Sequence, residues 1–167
     1  MQGKSYERLT KADLKRLGEI AARDQDDLFR RKPDLGRLYS GRLIAVALCQ
    51  GAALHYLNGK NGIKDFDIWS FYRAVRERPY PYRRLGIADF GDPKFGKTDD
   101  YPQFVGRKVD LLGRSLDDSD VSDSIAVLRR YLSERKTKSA RLLAQKAVIL
   151  IKPDSLLGSV VWPHENP

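Results

Sequence analysis

Cysteine, histidine and long apolar runs are scarce in this sequence, and each scarcity closes off a class of chemistry. The lone cysteine, Cys49, can form no intrachain disulfide, and inside an apolar run it reads as a small buried hydrophobe rather than a nucleophile. Only two histidines, His55 and His164, accompany it, so no tetrahedral zinc set can be assembled. Any metal must be held by oxygen. The longest apolar runs, Leu43 to Cys49 and Ala147 to Ile151, have the length of buried strands and fall far short of the ~20 residues that span a bilayer. No membrane association is expected. The opening Met-Gln-Gly-Lys-Ser-Tyr-Glu has no apolar stretch of the secretory kind, which makes the cytoplasm the expected compartment. Internal repeats, low-complexity tracts and interdomain linkers are also missing, so the 167 residues are read as one domain, with a core over about 35–152 and a helix at about 10–29 in front of it.

What is abundant is charge. Apolar residues make up 41% and charged residues 32%, a globular composition, and the net charge of +9 favours polyanionic partners such as RNA, DNA or nucleotides. The excess is uneven. Arg129 to Lys152 holds eight Lys or Arg, among them Arg129, Arg130, Lys138 and Arg141, against one acid, Glu134. That segment is the expected nucleic-acid contact. A second basic stretch, Arg73 to Arg84, interleaves five Arg with Tyr80 and Tyr82, a mixture suited to phosphates and to stacking on bases.

Helical and extended periodicities alternate along the chain, which points to an α/β protein. Thr10 and Asp13 resemble a capping box, and Leu14, Leu17, Ile20, Ala21 and Leu28 then recur at helical spacing, predicting a helix from Thr10 to about Phe29. Pro33 and Gly36 read as punctuation of a connection before a strand at Leu43 to Cys49. Gly51 begins a turn into a short helix, Ala52 to Leu57, which the cluster Asn58, Gly59, Asn61 and Gly62 ends. Asp65 to Tyr72 is the second predicted strand and Arg107 to Leu112 the third. The intervening 73–106 is rich in Pro, Gly and charge and predicts no more than a hairpin or short helix. Beyond it come a helix capped from Asp117 to Asp123 with Val121, Ile125, Leu128 and Leu132 on one face, a helix at Lys138 to Gln145, a strand at Ala147 to Lys152, and an edge strand within Ser155 to Trp162.

The chemistry concentrates in three acids. In an extended strand side chains alternate between faces, so Asp65 and Asp67 point one way while Phe66 and Ile68 point to the buried side. Two carboxylates so close repel unless a cation or proton intervenes, and oxygen-only ligation selects Mg²⁺ or Mn²⁺. Asp110 lies between Val109 and Leu111, which face the other side of its strand. If the second and third strands pair, Asp110 completes a set sufficient for two ions roughly 3.5–4 Å apart. Upstream, the turn at Gly51 would present backbone N–H groups to a phosphate.

This pattern resembles the polymerase-β-like nucleotidyltransferase superfamily: an apolar strand, Gly51-Ala52-Ala53, a short helix, Asp65-Phe66-Asp67-Ile68, then Val109-Asp110-Leu111. The resemblance covers roughly 43–112 and implies an α+β fold, a small mixed sheet flanked by helices. It implies that Asp65 and Asp67 bind both metals, and that Asp110 joins at the metal nearer the acceptor and helps deprotonate its hydroxyl. Gly51 would contact the triphosphate of ATP or another nucleoside triphosphate, and Ala52 stands where the family often has a phosphate-binding serine. The implied reaction transfers a nucleoside monophosphate to a hydroxyl of tRNA, another RNA, a protein or a small molecule, with release of pyrophosphate. The 55 residues after Leu112 leave little room for a base-gripping helical domain, so base selection calls for a partner or a second subunit, as in a homodimer. Lys64 is a further candidate phosphate contact. His55 is read as facing solvent, and Lys94-Phe95-Gly96-Lys97 as a flexible basic loop. A non-catalytic nucleic-acid-binding module on the same scaffold is the alternative, and a Mn²⁺-dependent glycosyltransferase ranks behind both.

Overall fold

A computed structural model describes residues 3–81, 86–117 and 122–164. The first helix, α1 (Lys11–Arg31), begins with the expected capping box: the Asp13 N–H donates to Thr10 Oγ1 at 3.3 Å and the Thr10 N–H to Asp13 Oδ2 at 2.8 Å. Pro33 and Gly36, read as a connection, instead lie in a second helix, α2 (Pro33–Tyr39). Pro33 sits in the first turn, where its missing N–H costs nothing, and Gly36 lets α2 close onto Phe29, since a Cβ there would come within 2.8 Å of the Phe29 Cβ.

Six strands form one mixed sheet. They are β1 (Leu43–Cys49), β2 (Phe66–Arg73), β3 (Gly86–Asp89), β4 (Lys108–Leu116), β5 (Val148–Lys152) and β6 (Val160–Trp162), ordered β3-β4-β2-β1-β5-β6. All neighbours are antiparallel except β2 and β4, which run parallel with Asp67 opposite Asp110. The helix α3 (Gln50–Asn58) follows β1, and α4 (Ser124–Glu134) and α5 (Lys138–Leu143) follow β4. Asp123 caps α4 by accepting from the Ala126 N–H at 3.1 Å. Val121, assigned to this helix's apolar face, lies outside the described residues, as do Tyr82, Arg83 and Arg84 of the second basic stretch.

Alternation along the strands gives the sheet two buried faces. Val46, Leu48, Phe66, Ile68, Val109 and Leu111 pack with Leu14, Leu17 and Ile20 of α1 and Ala52 and Ala53 of α3. Ala45, Ala47, Cys49, Trp69 and Phe71 pack with Val127, Leu128 and Leu132 of α4 and Leu143 of α5. The three-layer α/β arrangement is the expected class. No helix among the described residues is long and apolar enough to cross a membrane.

The segment 73–106, expected to be largely irregular, contributes β3 and a short 3₁₀ turn at Pro93–Phe95. Asp89, the last residue of β3, ties that strand to the end of the segment, accepting from the backbone N–H groups of Val105 (2.7 Å), Gly91 (2.8 Å) and Gly106 (2.9 Å). The 94–97 stretch is pinned rather than flexible. Phe95 is fully buried, Lys94 Nζ pairs with Asp13 at 2.8 Å, and Lys97 Nζ donates to the Pro102 carbonyl.

Burial pushes the Asp89 carboxyl up, but the three N–H donors together with Arg16 outweigh it and hold it below the usual range. A carboxyl depressed in the folded state stabilises above its unfolded pKa, about 3.9, and loses that contribution as pH falls through the folded value. Asp89→Ala is therefore expected to cost on the order of 1–2 kcal/mol at pH 7, trimmed by the site's exposure. Urea denaturation of both proteins at pH 7 and pH 3 checks this: the gap should shrink at the lower pH.

Candidate active site

The acids reach one another through the β2–β4 pairing. Asp67 and Asp110 are direct register partners on adjacent parallel strands, so their side chains leave the same face of the sheet, one strand spacing of ~4.8 Å apart. Asp65 stands one residue before β2, and the two-residue period carries it onto that face as well. Their apolar neighbours Phe66, Ile68, Val109 and Leu111 fill the α1 side as expected.

Asp65 and Asp67 line a cleft of about 480 Å³ together with Gly51, Ala52, Lys64, Trp69, Leu112, Leu142 and Lys146. Asp110 is deeper, only 4% exposed. Between Asp110 and Asp65 stands a residue that sequence reasoning passed over. The Lys108 ammonium is 3.7 Å from Asp110 Oδ1 and 3.9 Å from Asp65 Oδ2. Its own signal was present: Lys108 and Asp110 are two apart on one strand, the spacing that joins Asp65 to Asp67.

Burial holds the Asp65 carboxyl above its ordinary range, Lys108 opposes the shift, and the Asp110 charge adds to it. Asp65 Oδ1 is buried with no hydrogen-bond partner. Cys49 lies beside Asp67 in the β1–β2 register. Burial and then the Asp67 charge push its thiol well up, so it stays protonated and behaves as the inert hydrophobe expected.

The donor set matches a hard divalent cation in kind, being oxygen throughout with one buried oxygen unserved. Position is another matter. Among the described residues no group of three or more His, Cys, Asp or Glu side chains is gathered closely enough to hold a metal ion, and the point on which Asp65 and Asp110 converge belongs to Lys108.

The wall expected to meet phosphate differs from expectation in one detail. The chain turns from β1 into α3 not at Gly51 but at Gln50, whose φ of 65° lies in the left-handed region. A residue with a Cβ pays for that conformation. Gly51 is inside the first turn of α3, and a Cβ there would meet nothing within 4 Å. The N-cap residue Cys49 makes no side-chain capping bond, and Gly51 and Ala52 at the start of α3 line the cleft. Lys64 is exposed at the rim, joined by Lys4 and Lys146.

His55, read as solvent-facing, is 2% exposed and its Nδ1 lies 2.7 Å from the Asn61 carbonyl, bracing the turn before β2. The basic residues of 129–141 divide. Lys138 and Arg141 line a second cleft, of about 820 Å³, which shares Trp69, Leu112 and Leu142 with the acid cleft. Arg129 donates to the carbonyls of Val160 and Val161 and so holds β6 to α4. Arg130 is exposed among Asp117, Glu134 and Lys136, away from the acids. Tyr80, offered for base stacking, is fully buried and stacks on Tyr72.

Left-handed φ costs a non-glycine residue roughly 1–2 kcal/mol, and glycine's extra unfolded-state entropy returns about 0.5–1 kcal/mol of that. Gln50→Gly should thus raise stability by up to about 1 kcal/mol, read from the denaturation midpoint. A fall would mean that the glutamine side chain contributes more than its backbone strain costs.

In comparisons with known proteins, no family model, no curated protein and no solved structure matches this chain.

Proposed function

We propose that the protein is a Mg²⁺-dependent nucleotidyltransferase that moves a nucleoside monophosphate from a nucleoside triphosphate to a hydroxyl acceptor, with pyrophosphate leaving. The observation that carries this reading is the register of β2 on β4, which sets Asp67 against Asp110 with Asp65 on the same face, beside an uncapped helix N-terminus. Asp65, Asp67 and Asp110 would hold the divalent cation, Mg²⁺ or Mn²⁺. A bound divalent cation supplies charge neutralisation at the phosphoryl oxygens and acidifies the attacking hydroxyl.

The chain's own contribution is binding and orientation. The open N–H groups at Gly51 and Ala52 suit a phosphate oxygen, and the absence of a Cβ at Gly51 lets that oxygen approach. Lys4, Lys64 and Lys146 surround the cleft with positive charge suited to a triphosphate. The adjoining cleft, with Trp69, Leu112 and Leu142 between Lys138 and Arg141, suits a base and the backbone of an RNA acceptor, tRNA included.

The second reading, a non-catalytic nucleic-acid-binding module, is favoured by the Lys108 ammonium within 4 Å of two of the acids. It predicts salt-sensitive RNA binding that is weakened by neutralising Lys138 and Arg141 and indifferent to the acids.

The separating experiment incubates the protein with Mg²⁺ and each α-labelled nucleoside triphosphate in turn, with total RNA and with cell protein. Under the first reading the wild type transfers label, and Asp65→Ala, Asp67→Ala and Asp110→Ala each lower transfer by roughly a hundredfold or more while remaining folded. Label absent from every fraction, with RNA binding intact, selects the second.

A further inference from the structure

The larger of the two clefts differs in kind from the acid cleft. No acid is among its lining residues, and its charged side chains are Arg114, Lys138 and Arg141. The sheet contributes Trp69 of β2 and Leu112 of β4, and α5 contributes Leu142, which is apolar yet 46% exposed. Lys138, Arg141 and Leu142 follow one another at the three- and four-residue spacing of a single helix face, so the two cations flank the apolar wall. The hydroxyls in the wall are already engaged. Thr137 Oγ1 accepts from the Ala140 N–H at 3.1 Å and lies 3.0 Å from the Tyr131 hydroxyl. Ser139 Oγ accepts from Arg114 and lies 2.5 Å from the same tyrosine hydroxyl.

We infer that this cleft takes an unpaired nucleotide of a single strand, its base inserted against Trp69, Leu112 and Leu142 and its flanking phosphates on Lys138 and Arg141, whichever base it carries. The inference deepens the proposed function and rests on its nucleic-acid part, not on the acids. Apolar walls suit the π-face that every base offers. A duplex keeps those faces stacked on one another and presents none to a recessed floor. Lys138 and Arg141, with no acid beside them in the wall, give the charge complementarity that a phosphate backbone requires, and Arg141 is steadied by an N–H donated to the Arg135 carbonyl at 3.0 Å. A volume of about 820 Å³ is ample for one nucleotide with its phosphates. Base identity is read through hydrogen bonds to base edges. With Thr137 and Ser139 occupied in holding Arg114, Gln145 is the remaining neutral polar side chain of the wall, so affinity follows stacking rather than sequence. Trp69, Leu112 and Leu142 also border the acid cleft, which places a strand bound here beside Asp65 and Asp67.

The test titrates the full chain into fluorescein-labelled oligo(U), oligo(A) and a blunt RNA duplex over a range of salt, with EDTA present so that no divalent cation contributes. Leu142→Ser should weaken binding of both single strands at least about fivefold, the lower end of what one stacked base contributes, and leave the salt dependence and any duplex affinity unchanged. Lys138→Ala combined with Arg141→Ala should instead lower the slope of log affinity against log salt by about 1.4, at ~0.7 for each of two phosphates. Single-strand affinity unmoved by Leu142→Ser overturns the inference, even where salt-sensitive RNA binding and label transfer stand. A Leu142 effect confined to one base overturns the tolerance of bases. Binding of no oligonucleotide overturns the inference together with the nucleic-acid part of the proposed function, and label transfer to another acceptor then decides the enzymatic part. Leu142-dependent binding of anilinonaphthalene sulfonate, with no oligonucleotide bound, assigns the cleft to a small amphipathic anion and equally overturns it. Should Leu142→Ser fail to fold, the tryptophan emission of the wild type decides: oligo(U) must quench it and the duplex must not, and an equal response to both overturns the insertion.

Discussion

The parallel pairing of β2 with β4 is the constraint on which the rest of the candidate site depends. Side chains change face with every residue, so a slip of one position would turn Asp67 and Asp110 into the layer occupied by Leu14, Leu17 and Ile20. Four residues forbid that slip. Phe66, Ile68, Val109 and Leu111 are at most 4% exposed, and each gains roughly 1.5–3 kcal/mol from burial. The carboxylates, by contrast, repel one another and would separate if free to do so. Their proximity is imposed by the apolar residues between them, and the Lys108 ammonium moderates what that imposition costs.

The opposite face explains why the acids remain reachable. Trp69, Phe71 and Leu116 lie beneath α4 and α5, but α5 ends at Leu143, and from there the chain passes Lys146 on its way into β5. Asp65 and Asp67 are therefore walled by Leu142 and Lys146 without being covered. On the β1 side the wall is the start of α3, reached through the left-handed residue Gln50. This turn brings Gln50, Gly51 and Ala52 to the edge of the cleft that Asp65 and Asp67 line. Strain in the backbone at Gln50 and open space at Gly51 are thus two aspects of one arrangement.

Much of this was legible in the sequence because it depends on periods. The capping box of α1, the buried strands β1 and β5, and the shared face of Asp65 and Asp67 all follow from spacing within one element. What was not legible depends on pairing. β3 is four residues, Gly-Ile-Ala-Asp, that no propensity marks as a strand; it exists because β4 offers a free edge. β4 itself runs on to Leu116 through Gly113, Arg114 and Ser115, where sequence reading stopped at Leu112, because Arg114 looks like a solvated residue. Its guanidinium instead meets the hydroxyls of Tyr131, Thr137 and Ser139. Composition counts such a cation as surface charge although the fold has already used it, and the same holds for Arg129 of α4, which donates to the Val161 carbonyl of β6, and for Arg107, which donates to the carbonyls of Phe95 and Gly3.

Once those arginines are assigned to structure, the net charge of +9 says less about a nucleic-acid surface and more about the cleft. What surrounds the acids is a rim of exposed lysines, Lys4, Lys64 and Lys146, with Lys108 inside. A negative centre within a positive rim repels a bare cation at its entrance and a bare anion at its core. Asp67 and Asp110 are held on adjacent strands against their own repulsion. The pairing of β2 with β4 thus sets a negative centre inside a positive rim, and the apolar residues of those two strands stabilise that conflict of charge.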